Sequence, residues 1–317
     1  MNIICDKSKL IEGINIALKA IPGKSTMAIL ECLVLEVKDN IIKLIANDLE
    51  IGIETIIDGQ IIEEGSVAIN AKVFFEIIRK LPSDEVTISV DDNYVMNISG
   101  GKAKFNISAK PTEEFPFLPQ IVKNNNITIS QFSLKEVIRQ TVFSISDNEN
   151  TKVMTGELFE VKGNKLKVVS LDGHRISIRN IELKNSYDEV SVIIPGKTLI
   201  EISKILNGGM DDDVNIYFTD KHALFEFENT IVLSRLIEGE YYKIDKMLSS
   251  DYETKLTVNK KEMLDCIDRT TLLIKESDKK PVIIDIKDDS MGFNMHSSIG
   301  SMDEEISATK EGKDILI

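Results

Sequence analysis

The chain has 317 residues, 42% of them hydrophobic, which is enough for two or three domains with packed cores. A net charge of −14 argues against a general nucleic-acid coat protein and for a soluble cytoplasmic one, although an average leaves room for a local basic face. Cys5, Cys32 and Cys266 are scattered without CxxC spacing and read as buried thiols in a reducing compartment, and no apolar run suits a signal peptide or a membrane span.

In chain order, the first element is an amphipathic helix over 6–20, with Ser8 as its expected N-cap. "CLVLEVKDNIIKLIAND" (32–48) follows, two strand-like runs around a polar KDN turn, which is a hairpin pattern. A short strand "GSVAI" (65–69) leads into a helix over 70–81. The same order then returns. A helix over 133–146, with Ser133 as expected N-cap, precedes "GELFEVKGNKLKVVSLD" (156–172), and "VSVII" (190–194) leads into a helix over 195–207. Pro195 suits that helix start, where no backbone donor is lost. A third round begins with a helix over 258–276, capped by Asn259, and the hairpin pattern "VIIDIKDDSMGFNMHSS" (282–298).

The chain is therefore internally repetitive. A shift of 125 places Ile69 on Ile194, Lys72 on Lys197, Glu76 on Glu201, Arg79 on Lys204 and Leu81 on Leu206. Glu12, Glu136 and Glu262 recur in the other helix. The pattern predicts an α+β protein of tandem domains, each with two helices packed on antiparallel sheet: 1–120, 121–248 and an incomplete 249–317. The third domain lacks its second helix, as in a fragment or a truncated product. The linkers are neither long nor Gly/Ser-rich, which predicts domains packed in a fixed order.

Charge is unevenly placed. The five helix windows carry a net charge of about +5, so the rest of the chain is strongly acidic. Lys72, Arg79, Lys135, Arg139, Lys197 and Lys204 lie on these helices and Lys24 just after the first. Helix surfaces often carry such residues, but their recurrence at matching repeat positions predicts a shared cationic face for a polyanion. Contacts there would be to phosphate, independent of sequence and sensitive to salt.

Catalytic motifs fail. "PGKT" (195–198) and "PGKS" (22–25) lack the first glycine of a phosphate-binding loop, with Ser191 and Leu18 in its place. "GGMDDD" (208–213) lacks calcium-loop spacing and reads as a turn, and His222 and His296 have no partners at ligand spacing. We expect no catalytic residue, no metal and no cofactor. The knot "VVSLDGHRIS" (168–177) holds Asp172, His174 and Arg175 around Gly173. Asp48 occupies the place of Asp172 in the first repeat, so the acid reads as a turn-closing group. A hydrolase built on His174 and Asp172 would need an activated nucleophile, and none is recognisable. Gly173 would allow close backbone approach, and Leu171 and Ile176 would line a dent for a partner's apolar side chain.

Five segments in register carry a family resemblance: "ANDLEIGIE", "EFPFLP", "RQTVFSISDNENTKVMTGELFEV", "SLDGHRIS" and "SRLIEGEYY". Together they make the whole chain similar to the bacterial sliding clamps, the beta subunits of DNA polymerase III. The resemblance implies a non-enzymatic processivity factor with the DNA clamp fold, two protomers closing head to tail around duplex DNA with helices lining the hole. It implies a pocket for short peptides of the polymerase III alpha subunit, the clamp loader and other clamp-motif proteins, lined by Met154, Leu171, Gly173, His174, Arg175, Ile176, Tyr242 and Met247. Tyr242 stands where the family has proline, and the other half of the pocket comes from strands this chain lacks, so peptide binding should be weak. It also places Lys102, Lys104 and Phe105 against a second protomer in a homodimer, near Leu272 and Leu273. By charge, the acidic run Asp303, Glu304 and Glu305 is a counterpart for the lysines, the alternative being that both are solvated edge charges that discourage aggregation. The rival reading is a truncated clamp-like module that binds peptides without encircling DNA.

Overall fold

The computed structural model of the chain describes all residues except 125, 245, 246, 249–251 and 275–279, and of residue 149 only the backbone. The described residues form two compact units, 1–241 and 242–317.

In the first unit the two repeats share one sheet. Its eight strands run in the order Asn126–Ser130, Asp213–Phe218, His222–Phe227, Thr230–Arg235, Ile51–Ile57, Ile41–Asn47, Cys32–Lys38, Gly65–Asn70. The repeats join where Thr230–Arg235 pairs antiparallel with Ile51–Ile57, Thr230 opposite Thr55 and Ser234 opposite Ile51. A second sheet of five strands has Ala103–Ser108 at its edge, paired on one side with Val95–Gly100. Because side chains alternate along a strand, Leu33, Leu35 and Leu44 face the helices, while Val34 and Ile45 face outward under Phe115 of the linker. Phe74, Phe159 and Phe225 are fully buried in the helix-side core, which runs through both repeats. Each contributes roughly 2–3 kcal/mol by leaving water.

The helices are α1 (Lys7–Ala17), α2 (Ala71–Lys80), α3 (Gln131–Thr141) and α4 (Gly196–Ile205). α1 packs on α2 and α3 on α4. Two expected N-caps are corrected. Asp6, not Ser8, caps α1: its carboxylate accepts from the amides of Ser8 and Lys9 at 2.8 and 3.1 Å, and Ser8 donates its hydroxyl to it as well. A charged acceptor is the stronger cap. Ser130, not Ser133, caps α3, accepting from the Ser133 amide at 3.2 Å. Both windows also end early as α-helix and finish in a 3-10 turn, Leu18–Ala20 and Val142–Ser144.

The KDN hairpin forms as expected, with Asp39 and Asn40 both at positive φ, the signature of a two-residue primed turn. Its counterpart in the second repeat turns at the same place. The run Gly156–Leu171 breaks its ladder register with Ile176–Pro195 on both sides of Gly163, which takes φ 58°. The run folds back there, since the Tyr241 hydroxyl lies 3.4 and 3.3 Å from the Gly156 and Val169 carbonyls, so the left-handed glycine makes the expected KGN turn.

The second unit has a five-stranded sheet in the order Thr254–Val258, Ser301–Gly312, Ser290–His296, Ile283–Ile286, Ile315–Leu316. Its helix α5 (Lys260–Thr271) is capped by Asn259, as expected, and packs on Ser301–Gly312. The sequence window for it ran to 276, whose last two residues lie outside the described ones. Among the described residues no helix is long and apolar enough to cross a membrane.

Candidate functional site

The knot around Asp172 is the corner between Gly156–Leu171 and Ile176–Pro195. Asp172 Oδ1 accepts from the amides of His174 and Arg175 at 3.0 and 3.2 Å, and Oδ2 from Arg175 Nε at 2.8 Å. These bonds, led by the His174 amide, hold its carboxyl below the usual carboxylate range despite some desolvation. The acid is committed to the turn, and its contact with His174 is to the backbone rather than to the imidazole. Gly173 is at φ 91° with open space where a Cβ would stand. The corner therefore needs glycine for its left-handed backbone and not, as expected, for close approach.

The first repeat shows the same corner without the GHR residues. Asp48 Oδ1 accepts from the amides of Glu50 and Ile51, and Leu49 takes φ 75° in the place of Gly173. A branched residue there is strained.

Leu171 is buried, Met154 and Ile176 are half-buried, and His174 and Arg175 are exposed. One neighbour was missed in the sequence: Phe143, 56% exposed, lies 5.7 Å below the Arg175 guanidinium in a cation–π contact. Also missed was Glu157, fully buried, one residue into the first strand of the hairpin whose second strand ends at this corner. Tyr242 and Met247 are exposed residues of the second unit.

The predicted polyanion-facing cations divide by environment. Arg79 pairs with Glu76 at 2.8 Å, Arg139 with Glu136 at 2.7 Å and Lys204 with Glu201 at 2.7 Å, each glutamate one turn earlier on the same helix. Lys197 pairs with Asp48 at 3.0 Å. Lys72 donates to the Gly23 carbonyl at 3.4 Å, and Lys24 is exposed beside it. Lys135 donates to the Leu206 carbonyl at the end of α4, as Lys7 does to Leu81 at the end of α2. A cation satisfying the last carbonyls of a helix also suits its dipole.

Among the predicted contact residues, Lys102 and Lys104 are exposed, and Phe105 is 38% exposed on the edge strand. Phe105 closes an open groove of about 430 Å³ against Lys72, Val73, Glu76, Ile77 and Lys80 of α2. In the second unit Leu272 is 76% exposed and Leu273 half-buried, just beyond α5. The acidic run is split by strand alternation. Glu304 lies on the helix side, held by Arg269 through two bonds, while Asp303 and Glu305 point to the opposite face. Among the described residues no cluster of His, Cys, Asp or Glu could hold a metal ion.

Tandem repeats fused edge to edge through one sheet, with paired helices on one of its faces, define a clamp-type architecture. Comparison with known proteins agrees. The family model for the N-terminal domain of the DNA polymerase III beta subunit matches residues 1–119, and that for its central domain matches 128–243. The beta sliding clamp of Staphylococcus epidermidis is 32% identical over 100% of this chain and 86% of its own length, and that of Staphylococcus aureus is 33% identical. A crystal structure of a putative DNA polymerase III beta subunit from Eubacterium rectale is 60% identical with a TM-score of 0.97, again over 86% of that chain. The Bacillus subtilis DNA polymerase sliding clamp is 34% identical with a TM-score of 0.95. The chain belongs to the DNA polymerase III beta subunit family, the beta sliding clamps.

Proposed function

We propose that the chain works as a DNA sliding clamp: a non-catalytic processivity factor of the cytoplasm that closes with a second copy around duplex DNA and tethers the polymerase III alpha subunit, the clamp loader and related proteins. Its domains are read as 1–120, 121–248 and 249–317, the last boundary falling at residues outside the described ones. The peptide site is read at the Asp172 corner, with His174 and Arg175 presented by the turn and Leu171, Met154 and Ile176 supplying apolar surface.

The observation that carries the ring is the joint inside the chain itself. Thr230–Arg235 and Ala103–Ser108 are the same strand of successive repeats, as Ile51–Ile57 and residues 301–307 are. If copies join as the repeats do, the register of the internal joint carries over. Val232 opposite Ile53 becomes Phe105 opposite Met302, and Ile231 opposite Glu54 becomes Lys104 opposite Asp303. Phe105 and Met302 then both face the helix side, and Lys104 meets an acid on the other. The groove beside Phe105 is suited to the partner's Leu272 and Leu273. Such a contact is heterologous, and it closes into a ring of two.

The paired cations support sliding. A guanidinium already held by a glutamate gains little from phosphate, so contacts with DNA stay weak and enclosure provides retention. The test is retention on nicked circular DNA by gel filtration, with release when that DNA is linearised. Equal binding to both forms would mean a non-encircling module instead.

A further inference from the structure

The second repeat carries buried polar groups that the first does not, and they lie beneath the Asp172 corner. With Asp48 aligned on Asp172, Ala17 matches Thr141, Ala20 matches Ser144, Leu33 matches Glu157 and Ala46 matches Ser170, all four polar residues buried, and Ile53 matches the half-buried Ser177. All five residues of the first repeat are buried and apolar. The same fold therefore packs without these polar groups, and burying them costs free energy unless they are bonded.

Their bonds hold the corner. Ser170 donates its hydroxyl to the Thr141 carbonyl at 2.5 Å, and the Ser144 and Ser177 hydroxyls share a bond of 2.7 Å. Ser170 and Ser177 face each other across the ladder, one residue below Leu171 and Ile176. Both arms of the corner are thus tied to the end of α3, and Phe143, between the two ties, lies against Arg175.

Glu157 ends this chain of bonds. Thr141 Oγ1 lies 2.8 Å from the Val137 carbonyl and 3.1 and 3.0 Å from the two Glu157 carboxyl oxygens. Thr141 has a single hydroxyl proton. If it goes to Val137, Glu157 must bring its own proton to Thr141 Oγ1. An ionised Glu157 would compete for the Thr141 proton and would sit buried with no cation against it among the described residues. Among the described residues the titratable group that faces it is Tyr241, whose hydroxyl lies 3.4 and 3.3 Å from the Gly156 and Val169 carbonyls.

We propose that Glu157 is a positioning residue for the docking corner: as a neutral acid it completes a hydrogen-bonded chain through Thr141 to Ser170 that fixes residues 170–177, and its ionisation loosens them. Burial pushes the carboxyl up to about 8, with the Thr141 bond opposing, so the corner is tight at neutral pH and loosens above it. That the corner docks peptides rests on the function proposed above; that Glu157 fixes it does not.

The test is hydrogen exchange of residues 168–179 in the intact protein at pH 7 and pH 9.5, corrected for intrinsic rates. In the wild type, protection should fall about tenfold between the two pH values, the size expected for one buried bond lost to a charge. Glu157→Gln, whose amide can donate to Thr141, should show no such fall. Glu157→Leu, which restores the first repeat's residue, should also be flat and serves if the first variant folds poorly. The same pH response in the wild type and both variants overturns the proposal. A labelled peptide from the polymerase III alpha subunit tail, titrated in parallel, should weaken with pH in the wild type alone. A changed exchange profile with no peptide bound at either pH would sustain the positioning role and remove the docking reading.

Discussion

Lys197 Nζ lies 3.0 Å from Asp48 Oδ2, so the first turn of α4 is pinned to the corner of the first repeat. Asp48 serves twice, because Oδ1 also accepts the amides of Glu50 and Ile51 at 3.0 and 2.8 Å. The two roles are separable. Asp48→Ala loses both and should cost about 2 kcal/mol, mostly from the turn amides. Asp48→Asn keeps an acceptor for those amides and should cost less than half of that. Lys197→Ala should stay within about 0.5 kcal/mol, since the lysine side chain is largely exposed and such pairs contribute little. Urea midpoints at constant m-value decide the order, and a Lys197→Ala effect equal to that of Asp48→Ala would mean that the ion pair and not the turn dominates.

Glu157 also predicts how stability depends on pH. In the unfolded chain its pKa is ordinary, about 4.5; in the folded one burial raises it to about 8. Below pH 4.5 the group is protonated in both states and carries no penalty. Between the two values the unfolded chain releases the proton while the folded one keeps it, so stability is lost as pH rises and levels off above about 8. The full loss is on the order of 4–5 kcal/mol. Glu157→Gln should remove this component. Subtracting its unfolding free energy from that of the wild type across pH 4–9 isolates the effect, and a difference independent of pH would refute it.

Much of this architecture was legible because the repeats report on one another. The helices, the KDN turn and the shared acids Asp48 and Asp172 follow from spacing and turn chemistry, which act locally. The N-caps went astray at Asp6 and Ser130 because apolar periodicity locates a helix face better than its first residue. The Arg79–Glu76 pair was visible as an i, i+3 spacing, but a count of cations does not say which are already held. Glu157 was visible as well, an acid in "GELFEV" where the first repeat reads "CLVLEV". Its partner Thr141 was not, because a burial pattern shows which face a residue takes and not what stands opposite.

The three helix pairs make a prediction about DNA. Arg79, Arg139 and Lys204 are each neutralised by a glutamate one turn earlier. Replacing Glu76, Glu136 and Glu201 together by glutamine would free three cations. Non-specific affinity for a short duplex should then rise, and the slope of log K against log salt should steepen by up to about 0.9 for each cation that reaches a phosphate. Fluorescence anisotropy at a series of salt concentrations measures the slope. An unchanged slope would show that these side chains do not face DNA, whatever the overall affinity does.

The ring register makes the sharpest prediction. Carrying the internal joint over to two copies sets Lys104 across from Asp303 on the face away from the helices, while Glu304, turned to the other side, is already bonded to Arg269. Lys104→Glu should therefore weaken dimerisation, and Asp303→Lys should do the same, by placing like charges opposite each other. With two such joints per ring and up to about 1 kcal/mol at each, either single change should weaken the dimer by up to about 30-fold. The double variant restores the pair with its charges exchanged and should recover most of the affinity. Reversing Glu304 instead should give no such rescue with Lys104→Glu, since it breaks the Arg269 bond without facing Lys104. Sedimentation equilibrium on the wild type and these four variants reads this directly, and rescue by Glu304→Lys rather than Asp303→Lys would mean that the joint between copies is shifted by one residue from the joint within the chain.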